Sequence, residues 1–136
     1  MASTNAPPSP ASLRPLSPHL SVYRFTVTMT MSILHRVTGC GLYLGALLLA
    51  WFLIATSMDA AAFGVVSSFL TSIIGRFILF GFSWALFHHG LGGVRHMIWD
   101  AGYGLETPER EWLAWATLIG GFALTILVWS IGYAVR

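Results

Sequence analysis

Three apolar runs dominate the chain. The first carries no charge from Val37 to Met58, and its helix is predicted to begin near Met29. The second extends from Phe77 to Val94 between Arg76 and Arg95, and the third from Trp112 to Val135. None alternates apolar and polar residues as the strands of a membrane barrel must. Each can cross a hydrocarbon core about 30 Å thick, which takes roughly 20 helical residues. The expected fold is therefore all-α, an integral membrane protein with three transmembrane helices at about residues 29–58, 73–99 and 109–135. Asp59 to Ser72 forms the first connection, with room for a short surface helix. Gly102 and Gly104 break the second helix. Thr107 with Pro108 fits the N-cap and first turn of the third. Gly41-Leu42-Tyr43-Leu44-Gly45 is a small-xxx-small pattern that permits a close crossing without naming the partner.

Composition agrees with this pattern. Of 136 residues, 56% are hydrophobic and 9% charged, too few charges for the surface of a water-soluble domain of this size. The mean hydropathy is +0.73. The net charge of +2 is small and scattered, so nucleic acid is not an expected partner; the lipid bilayer is. Residues 1–28 divide from the membrane domain of 29–136 as a flexible tail and surface segment. The opening 1–18 lacks the basic start and apolar stretch of a secretory signal, so an uncleaved tail is expected. The seven basic residues are all arginine. Arg14, Arg24, Arg36, Arg95 and Arg110 fall on the side of the N-terminus, and only Arg76 and Arg136 on the other. The positive-inside rule then places the N-terminus in the cytoplasm. Cys40, alone in an apolar run, reads as a small packing residue.

Candidate chemistry is concentrated at one end of two helices. Positions three, four or seven apart share a helix face. His89, Gly93 and His96 form one stripe, and His88, Gly92 and Arg95 its neighbour. Each stripe has a glycine one turn after a histidine, which removes the side chain where a flat ligand would lie against the backbone. His96 lies roughly 10 Å along the axis from His89, close to the span from a haem iron to its propionates. An imidazole deep in an apolar helix, a glycine gap and a cationic rim suit a membrane haem. Periodicity does not separate His88 from His89. The first helix opens with Ser32, His35 and Arg36, predicted at the same depth as Arg95 and His96. Structural alternatives exist for each. Arginines snorkel to headgroups, a helical serine bonds back to its own helix, His96 suits an interface, and Asp100 suits solvent or a pairing with Arg95 or Arg36.

Ser32-Ile33-Leu34-His35-Arg36-Val37-Thr38-Gly39 resembles the S-x-x-H-R-x-[ST]-G signature of the cytochrome b subunits of succinate dehydrogenase, the larger membrane anchors of respiratory complex II. His89-Gly90-Leu91-Gly92-Gly93-Val94-Arg95-His96-Met97-Ile98-Trp99-Asp100 is similar to the second signature of that family, H-x-x-x-G-x-R-H-x-x-x-D. Arg14-Pro15-Leu16-Ser17-Pro18-His19-Leu20, with Tyr23-Arg24, resembles its lead-in. The resemblance implies a bundle completed by a second, smaller anchor subunit. It implies a haem b with His89 as the axial ligand from this chain and the other ligand from that partner. His35, Arg36, Arg95 and His96 would face the propionates. Ser32, Arg36 and Asp100 would serve a ubiquinone-reducing site. Electrons would come from succinate through a flavoprotein and an iron–sulfur subunit. The location implied is the bacterial cytoplasmic membrane, or the mitochondrial inner membrane for a eukaryotic chain. A quinol:fumarate reductase anchor and a haem-free structural anchor are the alternatives. A transporter would place polar residues along a whole helix face, which is not the pattern here.

Overall fold

The computed structural model describes residues 23–135. The expected tail, most of the lead-in with Arg14, and the terminal Arg136 lie outside the described residues. Four helices follow one another: α1 (Val27–Met58), α2 (Ala60–Thr71), α3 (Ile73–Asp100) and α4 (Thr107–Ala134). Three are long and apolar enough to cross a membrane, α1, α3 and α4. At about 1.5 Å per residue they reach about 42–48 Å, so their ends extend past the hydrocarbon into the headgroup layer.

Capping residues set the boundaries. α1 starts at Val27 because the Thr26 hydroxyl accepts from the Met29 N–H at 3.4 Å. Asp59 ends α1 and caps α2, its carboxylate accepting from the Ala62 N–H at 2.7 Å. Ser72 ends α2 and caps α3 through the Gly75 N–H at 3.1 Å. A side chain at Gly75 would strike the Phe69 carbonyl, so this corner requires glycine. α2 fills the first connection and folds back on α1, with Phe69 against Trp51 and Phe63 against Phe52. After α3 the chain turns through Gly102 and Gly104 at φ of +84° and +70°. The Trp99 indole donates to the Gly104 carbonyl at 3.0 Å and closes the turn. The expected capping role of Thr107 does not hold. Glu106 has the extended capping conformation, without a side-chain cap bond, and Thr107 is already helical. Pro108 follows within the first turn, where its missing N–H costs nothing.

α3 lies between the other two spans and runs antiparallel to both. Against α1 the register is Gly45 on Phe82, Gly41 on Ala85, Gly39 on His89 and His35 on Gly92. The Gly41 and Gly45 pair thus finds its partner within the chain: a side chain at Gly45 would run into the Phe82 ring. Against α4 the register runs from Phe80 on Trp129 through Trp84 on Phe122 to His88 on Gly121. The start of α1, the end of α3 and the start of α4 therefore share one end of the bundle. The buried core is small and includes Met31, Ala55, Val66, Ala85 and Ala114. Buried Thr38, Thr117 and Thr125 satisfy their hydroxyls on the preceding turn of their own helices. Most apolar side chains face outward, as a bilayer requires. Cys40 is among the outward-facing residues of this chain rather than a core packing residue.

Candidate functional site

The antiparallel register brings the polar opening of α1 beside the polar end of α3. There the two histidines that periodicity left equivalent part company. His88 is 1% exposed and faces the interior. Its ring stacks on Trp84, centroids 5.2 Å apart, and its backbone abuts Gly121 of α4. Neither ring nitrogen of His88 has a hydrogen-bond partner among the described residues. Arg95, two turns further on the same stripe, is 3% exposed. Its guanidinium lies 5.1 Å from the centroid of the Trp99 ring, with Nε and one terminal nitrogen unpartnered. This pair belongs to the inside of the three-helix bundle.

His89 occupies the edge between α1 and the open face of α3. Its Nδ1 lies 3.0 Å from the His35 carbonyl oxygen and 3.4 Å from the Thr38 hydroxyl. A carbonyl only accepts, so Nδ1 carries the proton, and in the neutral ring Nε2 keeps its lone pair. A histidine tied in this way, with Nε2 free, has the form in which proteins present imidazole to a metal. The His35 ring lies over that of His89 at 3.9 Å and 21°, and His96 meets His35 edge-on at 5.5 Å. The two glycine gaps differ in use. A side chain at Gly92 would strike the His35 ring, so that gap seats His35. Among the described residues, a side chain at Gly93 would meet nothing within 4 Å, so that gap is open on the His89 stripe. His96 is exposed on the same stripe.

Ser32 and Arg36 are exposed on the outer face of α1, and Asp100 is exposed at the last turn of α3. No ion pair forms among the described residues, so neither Arg36 nor Arg95 is neutralised by Asp100 here. No group of three or more His, Cys, Asp or Glu among the described residues could hold a metal ion. The site thus offers single imidazole ligation beside cationic groups, which suits a haem better than a bare ion. Sequence reasoning did not single out Thr38 as a site residue. Its placement three residues after His35 on α1 was visible, but its partner on α3 depends on register. Two grooves of about 380 and 330 Å³ flank Arg76 at the far end of the bundle, away from this chemistry.

Residues 11–128 match the model of the succinate dehydrogenase/fumarate reductase transmembrane subunit family. The chain belongs to that family. It is 41% identical over 114 residues to the succinate dehydrogenase cytochrome b556 subunit of Paracoccus denitrificans, covering 84% of this chain and 88% of that one. It is 38% identical over 127 residues to the cytochrome b560 subunit of Reclinomonas americana, covering 87% and 85%. It is 38% identical over 123 residues to the mitochondrial cytochrome b560 subunit of Sus scrofa, covering 89% and 70%. As a family member it is a membrane-anchor cytochrome b subunit of succinate dehydrogenase, and so part of an enzyme complex. The matched span includes α1, α2, α3 and most of α4, and with them every candidate site residue.

Proposed function

We propose that this subunit holds a haem b through His89 and supplies Ser32, Arg36 and Asp100 to a site that reduces ubiquinone with electrons from succinate. The observation that carries this reading is the tethered His89 imidazole, its Nε2 free beside the open gap at Gly93. A second, smaller anchor subunit would bring the other axial histidine to the exposed face. Arg36 would supply positive charge for the propionates, with the His35 and His96 imidazoles beside it as hydrogen-bonding groups. Arg95 stands behind them on the inner stripe, where its charge still favours an anion at that end. A haem held there would supply single-electron exchange. The chain's own residues orient that group, keep its ligand in one tautomer and present positive charge at one depth.

Ubiquinone reduction takes two electrons and two protons. The Ser32 hydroxyl can donate to a quinone carbonyl, and the Arg36 guanidinium can stabilise the negative charge that develops there. Asp100, with no ion pair among the described residues, can relay a proton at the same end. Their exposure on outward faces suits a site completed by other subunits. Electrons would arrive through a flavoprotein and an iron–sulfur subunit docked at this end. By the positive-inside rule this end would face the cytoplasm in a bacterium, or the matrix in a mitochondrion. The family's description also covers fumarate reductases, whereas the relatives named above are succinate dehydrogenase subunits. The deciding experiment is the reduced-minus-oxidised spectrum of the purified complex carrying His89→Ala. Loss of the b-type bands supports the ligand assignment, and unchanged bands defeat it.

A further inference from the structure

His89 belongs to α3, yet its ring is held by α1. The His35 ring covers one side at 3.9 Å. A side chain at Gly39 would come within 3.1 Å of its Cε1, so the imidazole lies close against the α1 backbone there. Two oxygens face its Nδ1, the His35 carbonyl at 3.0 Å and the Thr38 hydroxyl at 3.4 Å. Thr38 is 2% exposed, so no solvent competes for this contact. Its hydroxyl has one proton, and the Leu34 carbonyl at 2.8 Å is a nearer acceptor than the His35 carbonyl at 3.0 Å. With its proton spent on α1, the oxygen offers His89 a lone pair.

We propose that Thr38 is a positioning residue for the metal-ligating imidazole. Together with the His35 carbonyl it cradles the Nδ1–H of His89, fixing the ring plane and strengthening Nε2 as a donor. This rests on the reading that His89 ligates a haem. Hydrogen-bond acceptance at the far nitrogen raises the basicity of a ligating histidine. A more basic ligand favours ferric over ferrous iron. Thr38 therefore lowers the haem's midpoint potential.

The test is a redox titration of the b haem in the purified multi-subunit complex. Thr38→Val keeps the shape and removes the oxygen; it should shift the midpoint upward while the b-type bands remain. Thr38→Ser keeps the oxygen and should titrate near the wild type. Thr38→Ala, which cannot overpack, provides the same upward shift should the valine variant fail to assemble. An unmoved or lowered midpoint in the valine or alanine variant overturns the proposal. So does a serine variant that shifts as far as the valine one, because packing of the methyl would then be the cause. His89→Ala separates the two claims. If that variant keeps its haem bands, the ligand reading fails. If it loses them while Thr38→Val leaves the potential unmoved, only the role of Thr38 falls.

Discussion

The imidazoles of His35 and His89 lie one over the other, 3.9 Å apart and 21° from parallel, although 54 residues separate them in the chain. The contact joins the segment that bears Ser32 and Arg36 to the segment that bears His89 and His96. It also gives the adjacent histidines different surroundings, His89 against α1 and His88 inside the bundle. His88→Ala should leave the haem bands in place and instead weaken the bundle, by roughly 1–3 kcal/mol for a buried truncation. Thermal denaturation of the detergent-solubilised complex beside its spectrum checks this. A variant of normal stability that lacks haem would reverse the assignment.

Gly92 and Gly93 should respond oppositely to alanine. At Gly92 the new methyl meets the His35 ring, so both assembly and haem content should fall. At Gly93 it meets nothing in this chain, and alanine favours a helix by up to about 1 kcal/mol. Gly93→Ala should therefore accumulate normally yet bind less haem, because the methyl fills the face where the macrocycle would lie. Haem per subunit, measured against subunit content, distinguishes the two. Full haem occupancy in Gly93→Ala would place the macrocycle elsewhere.

Gly45 tests the packing alone. Its substitution by alanine forces the Phe82 ring aside, and overpacking of this kind costs about 1–3 kcal/mol. Adding Phe82→Leu should restore part of that loss. Absence of any rescue would mean that the close approach of α1 to α3 is not what the substitution disturbs.

For the quinone site, Arg36→Leu should slow succinate–ubiquinone reduction while sparing succinate oxidation by a soluble dye. A lost charge-assisted hydrogen bond costs about 1.5–3 kcal/mol, or roughly ten- to a hundredfold in rate. Ser32→Ala removes a neutral bond and should cost less, with Arg36→Lys in between. Equal loss of both activities at unchanged subunit content would make Arg36 an assembly residue.

Topology is checked separately. A reporter fused after Arg136 should be active only outside the cytoplasm. Activity inside would mean that the spans are inverted or miscounted.

The spans were legible because apolar length is a local property. Val37 to Met58 reads as a membrane helix with no knowledge of its neighbours. The start at Val27 was less visible because the first turns of α1 carry threonines and methionines, and Thr26 signals only weakly as a cap. Thr107 misled because it resembles a good N-cap, whereas the turn through Gly102 and Gly104 delivers Glu106 to that position. Within the site, the histidine stripes followed from periodicity. The inward turn of His88 and Arg95 did not, since facing depends on where α1 and α4 lie. The seating of His35 in the Gly92 gap is likewise a property of register between helices.

That register bears on the order of events during insertion. The carbonyl that tethers His89 emerges with the first span, and the imidazole with the next. Until those spans have docked in their final alignment, the ring is free to hold its proton on either nitrogen. A nascent chain with only α1 in the bilayer has not yet placed His89, and one displaced by a helical turn would offer it the wrong carbonyl. With His89 as the proposed ligand, cofactor capture by this subunit would wait until helix pairing is correct.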